Sequence, residues 1–167
     1  MLEEVIAILA STPKKIAVEV GTLTPRQMRS RPAPGKWSVQ EILAHLDDGE
    51  DIMRARVARM LEHDEPALPR FDQERRAIEL HYDRKDPRRT LERFARQRRG
   101  SVKWLRTVRP AQLNRKGRHE VVGVITAGEM IHEWAFHDLG HLKQILEVKR
   151  YALWPDMGNM RQFYKLT

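Results

Sequence analysis

Two histidines four residues apart, His137 and His141, stand in the stretch Trp134-Ala135-Phe136-His137-Asp138-Leu139-Gly140-His141-Leu142-Lys143-Gln144-Ile145. Apolar residues at Ile131, Trp134, Phe136, Leu139, Leu142, Ile145 and Leu146 recur around them at helical spacing. On a helix, positions i and i+4 lie one turn apart on one face, so two such imidazoles can share a metal ion. Two ligands do not complete a protein metal site, and histidine pairs also occur on helices for ordinary packing reasons. The chemistry therefore turns on a third donor. It has to be a histidine or a carboxylate, because the chain has no cysteine and so no thiolate ligand, disulfide or cysteine nucleophile.

His45 is the candidate, because of the helices that would carry it. Ser38-Val39-Gln40-Glu41 matches a capping box, and Ile42, Leu43, Leu46, Ile52, Met53 and Val57 extend an apolar helical face to about Leu61. Thr126-Ala127-Gly128-Glu129 is a second capping box, opening a helix that is expected to run to about Lys149. His45 lies about seven residues after its helix start and His141 about eight before its helix end, at about 1.5 Å per residue. If the two helices are antiparallel neighbours, His45, His137 and His141 come level and form a three-histidine site with open coordination positions. If they are not, His45 is a hydrogen-bonded core histidine. Asp48, three residues on, is close to the face of His45 and could orient its ring, act as a general base, or simply be solvated. Glu133 is a weaker candidate for the same work. His132 falls at a different angle of its helix, and His63, His81 and His119 read as polar loop positions, His119 with a possible place at a pocket rim. Trp37 and Trp134 read as packing residues, and Asp138 as outward-facing or structural.

The rest of the chain supplies two more helices. Leu2 to about Ala10 is amphipathic; Thr12-Pro13 predicts a restart or kink, with the helix continuing to Val20 before Gly21. Thr24-Pro25 opens a short turn through Met28, and Arg31 to Trp37 is a proline-stiffened loop. His63 to Pro87 is broken by prolines, with a short helix possible from Gln73 to His81. Its length exceeds the two to eight residues typical between antiparallel neighbours, so the chain can cross the domain there. A third long helix runs from near Arg88 to about Arg106, with Leu91, Phe94, Val102 and Leu105 inward and arginines outward. Gly117 to Ile125 suggests a short hairpin. Four long helices predict an all-α four-helix bundle with its site on facing helices.

Three segments together resemble the DinB-like superfamily, which includes YfiT-type metal-dependent hydrolases and several thiol-dependent S-transferases. They are Pro34 through Asp48, the tripeptide Phe71-Asp72-Gln73, and Gly117-Arg118-His119 through His137-Asp138-Leu139-Gly140-His141-Leu142-Lys143-Gln144-Ile145. The resemblance implies a single domain over 1–167, an up-down-down-up bundle with a long crossover between the second and third helices. It implies metal ligands at His45, His137 and His141, with nickel or zinc as the ion. It also implies a small-molecule substrate, with low-molecular-weight thiols among the candidates, and a homodimer.

Composition bounds the alternatives. The formal charge is +8, and Arg84 to Arg118 holds fourteen basic residues against Asp86 and Glu92. A solvated arginine face is the plain account; a binding module for nucleic acid or an acidic partner is the competing one. A metal-stabilised dimer without catalysis is a third. The acidic start, the lack of cysteine and the lack of any apolar run near the roughly 20 residues of a membrane span lead to the expectation of a cytoplasmic protein.

Overall fold

The structure, a computed structural model, describes residues 2–166. Six α-helices are formed in chain order: α1 Leu2–Gly21, α2 Pro25–Arg29, α3 Val39–Glu62, α4 Gln73–Glu79, α5 Pro87–Leu105 and α6 Ala127–Leu153. The four long ones, α1, α3, α5 and α6, make the expected bundle. Their starts are written in side chains. Ser38 and Thr126 close reciprocal capping boxes with Glu41 and Glu129, and Asp86 caps α5 ahead of Pro87. No helix among the described residues is long and apolar enough to cross a membrane.

Cross-helix contacts fix the directions. Trp134 donates to Glu50 and Gly49 faces His137, while His45 meets His137 from further back on α3, so α3 and α6 run antiparallel. Arg93 meets Asp47 and Arg98 meets Glu50, so α5 runs parallel to α3. Leu9 and Asp138 share Arg98, and Glu19 meets Lys149, so α1 runs parallel to α6. The course is up-down-down-up. Only the long crossover allows it, because α3 and α5 must both start at the same end of the bundle.

That crossover is more ordered than its prolines suggest. It carries a two-residue strand, β1 (Ala67–Leu68), which pairs in parallel with β2 (Lys116–His119). β2 and β3 (Gly123–Thr126) form the expected antiparallel hairpin. β2 lies tight on the bundle. A Cβ on Gly117 would sit 2.8 Å from Leu68 Cδ1 and 3.0 Å from Met60 Cγ, so any larger residue there would have to displace these two buried side chains.

Three expectations are corrected. The first is the restart at Thr12-Pro13: α1 runs through Pro13 as one helix. Proline has no N–H, so it leaves the Leu9 carbonyl without its helical partner. Arg98 Nη1, from α5, donates to that carbonyl at 3.0 Å. The second concerns one member of the arginine face of α5: Arg98 points inward and is 1% exposed, whereas Arg88, Arg89, Arg93, Arg96 and Arg99 stay exposed as expected. The third is Phe136, which is 79% exposed; Leu139 and Leu146 share its outer side of α6, although all three fit helical spacing.

The core is two apolar clusters separated by one charged layer. Ile6, Leu9, Met53, Val57, Ile131 and Trp134 belong to the first, and Ile16, Ile42, Leu46, Phe94 and Ile145 to the second. Between them Arg98 donates from Nε to Glu50 at 2.8 Å and from Nη2 to Asp138 at 3.0 Å, with Nη1 also on Asp138. Its guanidinium lies over the Phe94 ring, 4.7 Å from the centroid. All four long helices meet at this one side chain.

Removing the cation alone would leave two buried carboxylates unpaired. R98L is therefore expected to lose about 3–5 kcal/mol of stability, read as a lower urea midpoint, and R98M/E50L/D138L to recover much of it. An unchanged midpoint in R98L would show the layer to be dispensable.

Candidate metal centre

Glu41, which caps α3, stands at the start of the helix that carries His45. Its carboxylate takes the Ser38 N–H at 2.9 Å and the Arg31 guanidinium, and it lies one turn before His45 on the same face. Antiparallel packing then brings His45 to the level of His137 and His141. The His45 and His137 Nε2 atoms are 2.9 Å apart, and those of His137 and His141 are 3.0 Å apart. One donor nitrogen from each residue lies within 4.8 Å of the others. The structure thus joins the three histidines that the sequence placed on two separate helices.

The donor chemistry suits a metal ion. Two imidazole nitrogens bound to one ion at about 2.0–2.1 Å sit about 2.9–3.4 Å apart for angles of about 90–110°; the observed separations fall there. Gln144 Oε1 lies 2.8 Å from His141 Nδ1. An amide oxygen only accepts, so Nδ1 carries the proton and Nε2 of the neutral ring presents its lone pair inward. Burial, and then the charge of the neighbouring imidazoles, lowers His45 to about 3 and His137 to about 2. Burial lowers His141 as well, against the opposing pull of Gln144. All three rings are neutral at pH 7, as metal ligands must be.

Aromatic and charged side chains wall the cluster. The rings of Trp37 and Phe71 lie 5.0 and 5.8 Å from that of His45. Trp37 is half-buried and lines a cleft of about 520 Å³ together with Gln73, Glu74, His141, Gln144 and Tyr151, so His141 is the ligand candidate that reaches this cleft. Asp48 is close by, but its oxygens are occupied. Arg76 donates to both, at 2.7 and 2.6 Å, and Tyr82 donates its hydroxyl at 2.7 Å. Those bonds outweigh burial and hold the Asp48 carboxyl below its usual range, while burial and the bond to Asp48 raise Tyr82. His45 Nδ1 is buried without a protein partner, so the expected bond from this ring to Asp48 is not formed.

The other candidates lie elsewhere. Glu133 is exposed on α6. Asp138 is wholly buried on Arg98, and Trp134 is core. His132 is exposed, with Nδ1 near the Gly128 carbonyl, His63 follows α3, and His81 precedes the turn at Tyr82. His119 accepts the Val121 N–H at 3.2 Å and so serves the hairpin turn. Arg76 and Tyr82 are the neighbours that sequence reasoning missed. Both sit in the crossover, where no periodicity relates them to Asp48.

Comparison with known proteins agrees with this architecture. A family model described as the DinB superfamily matches residues 8–145, and the chain belongs to that superfamily. Among solved structures, YfiT from Bacillus subtilis superposes with a TM-score of 0.83 at 23% identity, covering 89% of this chain and 86% of its own. YfiT is described as a probable metal-dependent hydrolase with an unusual four-helix bundle topology. At that identity the likeness is one of fold. No curated protein matches the chain.

The imidazole environment makes a pH prediction for metal-free protein. The folded values of His45 and His137 lie below the ordinary 6.5, so the unfolded chain takes up protons that the folded one refuses. Stability is expected to fall as pH drops from about 6.5 toward about 3. In H137Q the slope over that window should be shallower by up to about 1.4 kcal/mol per pH unit. Urea unfolding in chelator across that range measures it, and equal slopes would refute the neutral-imidazole picture.

Proposed function

We propose, with membership of the DinB superfamily as the premise, that this protein is a metal-dependent enzyme whose divalent ion is held by His45, His137 and His141. The observation that carries the reading is the convergence of three Nε2 atoms from two antiparallel helices, with Gln144 setting the tautomer of one ring. Neutral imidazoles suit nickel or zinc among the biological divalent ions. When bound on three neutral ligands, such an ion keeps its full charge and lowers the pKa of a coordinated water or thiol, which supports hydrolysis or thiol-dependent S-transfer.

The chain's own residues supply position and shape. His141 presents the site to the cleft, and Trp37 offers an aromatic wall to a substrate there. Gln144 holds the His141 ring from outside. Asp48 acts as a positioning residue: it gathers Arg76 and Tyr82 into the wall beside His45 and places a negative charge near that ring.

Metal titration of untagged protein tests the site. H45A is expected to lose stoichiometric binding. Q144A is expected to weaken it about 10- to 100-fold with the fold intact, the usual cost of a lost outer-shell partner. Full stoichiometry in H45A would remove the proposed ligand set.

A homodimer through the outer face of α6 belongs to the same reading. Phe136, Leu139, Leu146 and Leu153 are all exposed there, at spacings of three, seven and seven residues. That heptad-like seam is self-complementary across a two-fold axis. Sedimentation velocity should show a dimer for the wild type and a folded monomer for L139E/L146E; a wild-type monomer at all concentrations would remove the dimer.

A further inference from the structure

A second cavity, of about 440 Å³, opens between α3, β1 and α4, and is lined by Phe71, whose ring lies 5.8 Å from that of His45. Five arginines line it: Arg56, Arg59, Arg70, Arg75 and Arg76. The acids in its wall, Asp72 and Glu79, are already engaged. Asp72 caps α4 through the Arg75 N–H at 3.0 Å, and Glu79 takes the Arg75 guanidinium at 2.7 Å. Arg76 is neutralised by Asp48.

Three cations remain. Among the described residues, the ion pairs formed around this cavity engage Arg75 and Arg76 and leave out the guanidinium groups of Arg56, Arg59 and Arg70. Arg56 is the deepest of them, half-buried beside Ile52, with its Nη2 on the Pro69 carbonyl at 2.6 Å. Burial lowers its pKa, and only the more distant charge of Glu133 opposes that. A desolvated cation with donors to spare is unfavourable unless an anion completes it. A guanidinium offers five N–H groups in a fork that matches carboxylate and phosphate oxygens.

We propose that this cavity binds the carboxylate or phosphate group of a small anionic ligand, with Arg56 as the principal donor and Arg59 and Arg70 at the rim. The anion site does not depend on the metal-enzyme reading. Phe71 is the shared wall, 5.8 Å from the His45 ring and 5.7 Å from the Arg76 guanidinium. Arg56 lies eleven residues after His45 on α3. That is about 16 Å along the axis, and helical side chains lean back toward the N-terminus, here toward His45. Phe71 and that distance set the cavity apart from the histidine cluster, which opens instead to the cleft lined by Trp37 and His141. A concave pocket with its key cation half-buried suits a compact anion better than the backbone of a nucleic acid, which needs an exposed basic stripe.

The test uses the full-length, metal-free protein at low ionic strength, titrated calorimetrically with inorganic phosphate and separately with succinate. Saturable binding of phosphate alone assigns a phosphate group to the ligand, and of succinate alone a carboxylate. R56Q is expected to raise the dissociation constant about tenfold or more, since hydrogen bonds to charged groups contribute about 1.5–3 kcal/mol each. R99Q, in the groove between α1 and α5, should leave it unchanged. Because Arg56 also holds Pro69, the exposed pair R59Q/R70Q is measured alongside and should weaken binding at least threefold. Absence of saturable binding by either anion would overturn the proposal, as would wild-type affinity in both R56Q and R59Q/R70Q, or a response to a short oligonucleotide alone. Metal titration of the same samples keeps the two readings apart. Lost anion binding with stoichiometric metal uptake refutes only the cavity, and the converse refutes only the metal centre.

Discussion

The bundle depends on a single buried cation. Arg98 is the only side chain described above that touches all four long helices, through Leu9, Glu50, Asp138 and its own α5. A pure apolar core of this shape would tolerate sliding of one helix along another, because leucine and isoleucine contacts are not directional. A guanidinium with two carboxylates and a carbonyl has one satisfactory geometry. Such a layer gives little net stability, given the desolvation of three charges. What it can contribute is register, since any slip by one residue would bury an unpaired charge. Pro13 belongs to the same device. The helical bond that proline deletes in α1 is the one whose acceptor Arg98 occupies.

Register is what the candidate metal centre needs. Asp138 is the residue after His137, and Glu50 lies just over one turn beyond His45. Pinning Asp138 and Glu50 to one guanidinium therefore also pins the levels of His137 and His45. A shift of one residue on either helix would move an imidazole by about 1.5 Å and rotate it by about 100°, which no metal site would survive. The capping boxes at Ser38 and Thr126 fix where each helix begins, and the charged layer fixes how the two meet. Site geometry is thus inherited from groups that take no part in it.

The arginine content divides along the same lines. Its charge suggested a solvated face or a polyanion site on α5. Arg98 instead organises the core, and Arg93 reaches Asp47 and Asp51 on α3. Arg76, from the crossover, engages Asp48 beside His45. The crossover is therefore more than a connection: it closes one side of the imidazole cluster with Phe71, Arg76 and Tyr82, and β1 ties it to the hairpin before α6.

Much of this was legible in the residues themselves. Helix periodicity, capping boxes and the four-residue histidine spacing are local properties, set by backbone geometry and side chains within a turn or two. They determined four long helices, most of their boundaries, and which imidazoles share a face. Helix positions made His45 the candidate third donor, and resemblance to a family pattern extended the reading to the bundle course. What lay beyond reach involved partners far apart in the chain. Arg98 fits the arginine stripe of α5 as well as its neighbours do, and only the charges of Glu50 and Asp138 opposite turn it inward. Phe136, Leu139 and Leu146 carry the same hydrophobic signal as core residues, but the bundle has only one side on which to bury α6. Asp48 is near His45 by spacing, yet Arg76 and Tyr82 decide its bonds, and they arrive through a crossover without periodicity. Local chemistry determined which residues could act. Long-range packing decided which of them meet, because that depends on charges and volumes that no short window of sequence contains.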